Sequence, residues 1–197
     1  MNWPMAALAG SAFIVLLLAA GVAWFMRDPE RHPPTGPRAT RAVVAPADGR
    51  VLRVEQAPAP AFVAGPAKRI VIFLSVWDVH VQRAPAAGRV AHSERQAGGY
   101  RPAFADGAAH NAGHQLGLET AGGRLLVIRT AGVMARRVTT CVALGQLVQA
   151  GERIGRIWLG SRAEVFLPAE AVVCVRRGQR VRAGETVIAT WGDDERS

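Results

Sequence analysis

A chain of 197 residues has room for one buried core and a separate anchor, and too little for several large domains. Its 24 Lys+Arg against 15 Asp+Glu leave a net charge of +9, nearly all of it arginine because Lys68 is the sole lysine. The arginines form no basic stripe interleaved with aromatics, which argues against a nucleic-acid partner and for an anionic membrane surface.

From Trp3 to Met26 no residue is charged, a length that suffices to cross a bilayer core. Met1-Asn2-Trp3 offers no basic side chain, and the run ends in bulky Trp24-Phe25-Met26 rather than a small-residue cleavage site. Residues 1–27 therefore read as a retained membrane anchor rather than a signal peptide. Gly10, Gly21 and Pro4 leave a shallow or re-entrant insertion open beside a straight span. Arg27, Arg31, Arg38 and Arg41 follow at once, which places the rest of the chain on the cytoplasmic side of a cell membrane, with Trp3 and Trp24 at the two interfaces.

Residues 28–41, rich in Pro and Arg, read as a linker, and 42–197 as the folded domain. Short β-branched runs bounded by Gly and Pro predict strands at 51–54, 70–74, 125–128 and 172–175, and no later stretch has helical periodicity. Residues 86–112 read as loop with one short strand near Gly88-Arg89-Val90. Lys68 reads as a surface charge, and His32, His92, His110 and His114 as solvated. Cys141 and Cys174 lie outside any CxxC or His-rich spacing, so no metal site and no required disulfide are expected. Both read as buried free thiols, in keeping with a reducing compartment.

An internal repeat sets Gly145, Val148, Gly151 and Ile154 against Gly178, Val181, Gly184 and Val187, each pair 33 residues apart. That is strand–turn–strand chemistry, with glycines free to adopt positive φ and apolar residues entering a shared core. The predicted fold is mainly β: a compact β-sandwich or barrel with biotinyl-like repeats, preceded by one N-terminal membrane helix.

Between the two copies lies Trp158-Leu159-Gly160-Ser161-Arg162. A small residue followed by a hydroxyl is the minimum for a peptide bond to attack itself, although Gly-Ser alone is also turn chemistry. Four further blocks precede it in order. They are Phe25-Met26-Arg27-Asp28-Pro29-Glu30-Arg31; Ala45-Pro46-Ala47-Asp48-Gly49-Arg50-Val51; Phe73-Leu74-Ser75-Val76-Trp77-Asp78-Val79-His80-Val81-Gln82-Arg83-Ala84-Pro85; and Ala131-Gly132-Val133-Met134-Ala135-Arg136-Arg137. Together the five blocks resemble the phosphatidylserine decarboxylases, specifically the short branch of that family, over most of residues 25–168. Two departures stand out: the family's Asn-Glu-Arg-Asn-like stretch is Asn111-Ala112-Gly113-His114 here, and the second histidine of longer members is Arg83.

The resemblance implies a zymogen. The Ser161 oxygen would attack the Gly160 carbonyl, and elimination and hydrolysis would leave residues 1–160 as a beta chain and 161–197 as an alpha chain capped by a pyruvoyl group made from Ser161. The two fragments would stay together as a heterodimer, with self-association into a higher oligomer. The covalent pyruvoyl group, the one cofactor implied, would form a Schiff base with phosphatidylserine and release carbon dioxide to give phosphatidylethanolamine, the work of a pyruvoyl-dependent carboxy-lyase. His80 is the implied general base and later proton donor, with Asp48 orienting it. His80 as a half-exposed strand residue and Asp48 as a turn residue stay open beside those roles. Arg83, Arg136 and Arg137 are candidates to hold the lipid phosphate or carboxylate. The competing reading is a non-enzymatic membrane adaptor or carrier module on a biotinyl-like sandwich. However, a carrier needs a hairpin-tip lysine that both repeats lack, and an adaptor usually adds a coiled coil for which no heptad run exists. A membrane-tethered nucleic-acid binder rests on charge alone.

Overall fold

The computed structural model describes residues 3–37, 39–58, 60–99, 111–132, 137–158 and 161–192, without the side chains of 3–7 and 161. Arg38, His110, Arg136, Leu159 and Gly160 therefore lie outside the described residues, as do the side chains of Trp3, Pro4 and Ser161.

The uncharged N-terminal run forms α1 (Trp3–Met26), 24 residues long and so about 36 Å from end to end. Pro4 falls in its first turn, where a missing N–H costs no helical hydrogen bond. Every side chain from Leu8 to Trp24 is exposed, so among its described side chains the helix meets the domain only at its C-terminal end. A helix apolar on all sides suits lipid better than water, and the stretch Leu8–Met26 has a mean hydropathy of 2.2. The helix is compatible with membrane association.

A short 3-10 turn (Ala39–Arg41) leads into a β domain. In chain order the strands are β1 (Ala42–Val44), β2 (Gly49–Pro58), β3 (Pro66–Leu74), β4 (Val81–Arg83), β5 (Gly88–Gln96), β6 (Gly113–Thr120) and β7 (Gly123–Thr130). They continue as β8 (Val138–Thr140), β9 (Leu147–Val148), β10 (Arg153–Ile157), β11 (Ser161–Pro168), β12 (Val172–Val173), β13 (Arg180–Val181) and β14 (Val187–Thr190). An eight-stranded sheet of order β13-β2-β3-β11-β7-β6-β5-β9 curls into a half-barrel, accompanied by the three-stranded sheets β1-β14-β12 and β4-β10-β8. One core joins Val43, Ile154 and Ile188 of the small sheets to Ile70, Ile72, Leu116, Leu118 and Val165 of the large one. The mainly β expectation therefore holds.

Strand β11 is the centrepiece of the large sheet. It pairs with β3 from Ser161↔Leu74 to Pro168↔Ala67 and with β7 from Arg162↔Thr130 to Phe166↔Leu126. Ala163, Val165 and Leu167 enter the main core, while Phe166 packs with Val63, Ala67 and Leu126 on the other face. The burial extends to its charged residues, Arg162 and Glu164, which pair with each other at 2.7 Å.

The 33-residue repeat builds β9–turn–β10 and β13–turn–β14, and the two copies make matching hydrogen bonds. Gly145 N donates to Val90 O (2.7 Å) as Gly178 N does to Val51 O (2.8 Å), and Gly151 N to Ala84 O as Gly184 N to Ala45 O (both 2.8 Å). Gly151 and Gly184 hold φ near 79° and 75°, a left-handed conformation that favours glycine. The acceptors belong to a second repeat, Ala45-Pro46-Ala47-Asp48-Gly49-Arg50-Val51 against Ala84-Pro85-Ala86-Ala87-Gly88-Arg89-Val90. Asp48 is the one polar residue that distinguishes these two corners, and Ala87 takes its place in the other.

Three expectations need correction. Residues 86–112 are not mainly loop: β5 runs for nine residues and pairs with β6 along its length. Cys141 and Cys174 form no disulfide among the described residues, and both are exposed, because each follows a short strand at the edge of a three-stranded sheet where little packs over it. Lys68 lies within β3, half-buried, and donates to the Ala171 carbonyl at 2.8 Å.

Candidate active site

The turn after β3 fixes the site. Asp78 N donates to Ser75 O, and the Asp78 carboxylate accepts from Ser75 N (2.8 Å) and Ser75 Oγ (2.7 Å), closing Ser75–Asp78 from both sides. Two residues on, His80 is fully buried. Its Nδ1 lies 2.8 Å from the Asp78 carbonyl oxygen. A carbonyl only accepts, so Nδ1 carries the proton and Nε2 keeps its lone pair. Nε2 is itself buried and has no hydrogen-bond partner among the described residues. Burial lowers the His80 pKa below its ordinary 6.5, and the nearby Arg156 and Arg27 guanidiniums add to that, outweighing the opposing pull of Asp78. The result is a neutral imidazole with an unused lone pair, the form a general base requires.

The described residues that flank the predicted scissile link are registered to this turn. At one end Ile157 N donates to the His80 carbonyl (3.1 Å), and at the other Ser161 is in register with Leu74. Only residues 158–160 connect the two points. Trp158 N donates to Arg137 O (3.2 Å), and its buried indole Nε1 also lacks a partner among the described residues.

The end of α1 caps the imidazole. The Phe25 ring lies 4.3 Å from the His80 ring and 6.2 Å from that of Trp158. Arginines of the β domain hold the chain that follows. Arg156 donates to Phe25 O and Met26 O, Arg83 to Asp28 and Pro29 O, and Arg153 to Asp28 (2.6 Å) and Glu30.

Asp48 stands apart from His80. Its carboxylate accepts from Ala183 N (2.7 Å) and from Arg31 Nη2 (2.8 Å), and Arg31 also reaches Glu185 (3.2 Å). Burial raises the Asp48 pKa despite these donors. Among the described residues no hydrogen bond joins Asp48 to His80; the group that orients the imidazole is the Asp78 carbonyl. Arg83 is buried and committed to Gly151 O, Asp28 and Pro29 O. Arg137 is exposed and lines a cavity of about 640 Å³ with Arg95, Gln96, Thr139 and Thr140.

A family profile described as phosphatidylserine decarboxylase matches residues 18–189, a span that includes Phe25, Asp48, His80 and the Gly160-Ser161 link. The chain belongs to the phosphatidylserine decarboxylase family. A relative from Symbiobacterium thermophilum, named phosphatidylserine decarboxylase proenzyme, is 45% identical over 176 residues, covering 88% of this chain and 77% of that one. One of the same name from Carboxydothermus hydrogenoformans is 40% identical over 160 residues, 81% of this chain and 74% of its own. A third, from Salinibacter ruber, is 41% identical over 160 residues, with coverages of 78% and 70%.

Family membership does not explain a polar knot behind the site that sequence reading missed. Arg129 of β7 is fully buried. Its guanidinium donates to Thr139 O and Ile154 O (both 3.2 Å) and to Thr140 Oγ1 (2.6 Å), and it lies 2.8 Å from His114 Nδ1. Burial brings the Arg129 pKa down to about 10. His114 is therefore buried rather than solvated, and burial with Arg129 beside it lowers its pKa to about 4. The signal was present in the alternation His114-x-Leu116-x-Leu118, which puts the histidine on the core face of a strand.

His114 has a consequence for acid stability. Between 6.5 and about 4 the unfolded chain binds a proton that the fold refuses. Stability is thus full above pH 6.5 and falls on acidification by about 3 kcal/mol from this group, with no further loss below pH 4. Denaturant midpoints between those pH values should fall less steeply for His114→Gln than for the parent chain.

Proposed function

We propose that this chain is a phosphatidylserine decarboxylase proenzyme that cuts itself between Gly160 and Ser161. The observation that carries the proposal is the buried Nε2 of His80, without a hydrogen-bond partner among the described residues, beside a turn whose two ends are registered to the residues flanking the 158–160 link. As general base, Nε2 takes the Ser161 hydroxyl proton while the oxygen adds to the Gly160 carbonyl and the acyl group moves from nitrogen to oxygen. Loss of the Ser161 Cα proton then expels the Gly160 carboxylate and leaves a dehydroalanine, which water converts to a ketone with release of ammonia. The balance needs no oxidant and no external cofactor.

The residues fit a pyruvoyl group at position 161, because a dry imidazole with a free lone pair stands beside the chain that would carry it. When formed, that group supplies an electrophilic carbonyl that accepts the substrate amine and the electrons left by departing carbon dioxide. His80 then returns a proton to the substrate carbon from the same nitrogen. Phe25, itself packed near Trp158, covers the imidazole and helps to exclude water from it. Arg137, exposed in its cavity, is the cation we assign to the anionic head group, with Arg136 beside it in sequence. Arg83 and the Arg31–Asp48 pair clamp the segment after the helix against the site.

Because β11 lies between β3 and β7, fragments 1–160 and 161–197 would stay together after the cut as a heterodimer, with self-association into a higher oligomer as a further expectation. α1 anchors the domain at the cytoplasmic face of the membrane, where its positive charge favours an anionic leaflet. The carrier alternative lacks support, since both hairpin tips, Ala150-Gly151 and Ala183-Gly184, are without a lysine. Membranes containing the protein should release carbon dioxide from serine-carboxyl-labelled phosphatidylserine, and Ser161→Ala should abolish that release; undiminished release would refute the proposal.

A further inference from the structure

Trp77 is 72% exposed and Val76 36%, although the turn that carries them is otherwise turned inward, with Leu74, Val79 and His80 all buried. An isolated exposed aromatic is ordinary on a soluble protein. This one is joined to the helix exit. Arg27, the first residue after α1, donates one guanidinium nitrogen to the Trp77 carbonyl and another to the Trp24 carbonyl, and its guanidinium lies 4.1 Å from the Trp24 ring centroid. Arg156 donates to the last two carbonyls of the helix, Phe25 O and Met26 O. Arg180, 71% exposed, reaches Asp78 of the same turn at 3.4 Å. Two tryptophans and three arginines are thus linked through contacts around the point at which an exposed apolar helix enters the domain. That is the composition of a membrane–water interface, where indoles sit at head-group depth and guanidiniums meet anionic lipid.

We propose that the tip of the Ser75–Asp78 turn is a second membrane contact, with Val76 and Trp77 entering the interfacial layer of the same bilayer that holds α1. The inference rests on the reading of α1 as a membrane anchor. A single helix leaves a domain free to tilt and swivel. A second contact three residues before His80 fixes the orientation, so that the face carrying the imidazole lies on the lipid surface and a head group reaches it without leaving the bilayer. The occupant is lipid rather than a protein partner, because the surface is continuous with the helix exit.

The test uses the full chain in phosphatidylcholine–phosphatidylglycerol vesicles, which contain no substrate. An environment-sensitive fluorophore is attached at Trp77→Cys in a Cys141→Ser/Cys174→Ser background, and a control fluorophore at Leu147→Cys. Leu147, 73% exposed, lies on β9, at the opposite edge of the large sheet from the strand that carries Arg180. The label at 77 should be quenched by head-group-region spin-labelled lipid and shielded from aqueous iodide, and the label at 147 should show the reverse. Equal iodide quenching at both positions would overturn the proposal, whether or not the chain is a decarboxylase. In a second arm, Trp77→Ser, which keeps the backbone carbonyl that Arg27 uses, should lower carbon dioxide release from vesicle-borne phosphatidylserine about tenfold. Release from a short-chain, monomeric phosphatidylserine should be unchanged. Equal losses on both substrates would assign Trp77 to the fold of the site and reject membrane contact.

Discussion

His80→Gln should leave the polypeptide in one piece. Glutamine is close in volume and can still donate to the Asp78 carbonyl, but it has no basic nitrogen to place where Nε2 now stands buried and unpartnered. Removing a general base typically costs about 10²–10⁴ in rate, so conversion to two fragments should slow by that order. The pH dependence of cleavage in the parent chain follows from the same nitrogen. Burial holds the imidazole pKa below 6.5, so the neutral base is fully present at neutral pH and is lost only as the solution is acidified past the depressed pKa. Cleavage followed by gel electrophoresis should therefore be flat on the alkaline side and decline on the acid side. A His80→Gln chain that cut at the parent rate would remove His80 from the chemistry.

The largest effect on stability is expected at Arg129. Its guanidinium satisfies Thr139 O, Ile154 O and Thr140 Oγ1 and meets His114, so it ties β7 and β6 of the large sheet to β8 and β10 of a small one. Arg129→Ala would leave those groups without their donor and open a cavity where the guanidinium now lies fully buried. Orphaned buried polar groups and large-to-small truncation each cost a few kcal/mol, so a loss of about 3–5 kcal/mol is expected. The comparison belongs in a Ser161→Ala background, where the chain stays whole and one unfolding transition is read. An unchanged denaturant midpoint would mean that the knot contributes nothing to the fold.

The contrast between what could and could not be read in the chain has a physical basis. The 33-residue repeat was legible because its turns need glycine at φ of 75–87°, a requirement written in residue type. Strand β11 was not legible, because Arg162 and Glu164 break its apolar pattern and meet each other only in the fold. Strand β6 went unread although its core face alternates, because that face carries His114 and the other face carries Gly117, a glycine whose reason only the fold reveals. A Cβ there would lie 2.5 Å from the Phe62 ring, contributed from more than fifty residues upstream. The two thiols looked buried because local apolarity carries no information on whether a strand will lie at an edge. At the site, Asp48, His80 and Ser161 were named from motifs, and the partners that position them were not. The Asp78 carbonyl leaves no mark in residue type, and the contacts from Phe25 to His80 and from Arg156 to Met26 join positions that no local pattern connects.

Mass spectrometry of the protein purified from active membranes tests the central claim most directly. Self-cleavage predicts two species under denaturing conditions, residues 1–160 ending in a free glycine carboxylate and residues 161–197 carrying a ketone in place of the serine amine. Because β11 is clasped between β3 and β7, the two should co-elute when folded. A single unbroken chain with an unmodified Ser161, in a preparation that releases carbon dioxide from phosphatidylserine, would contradict the account.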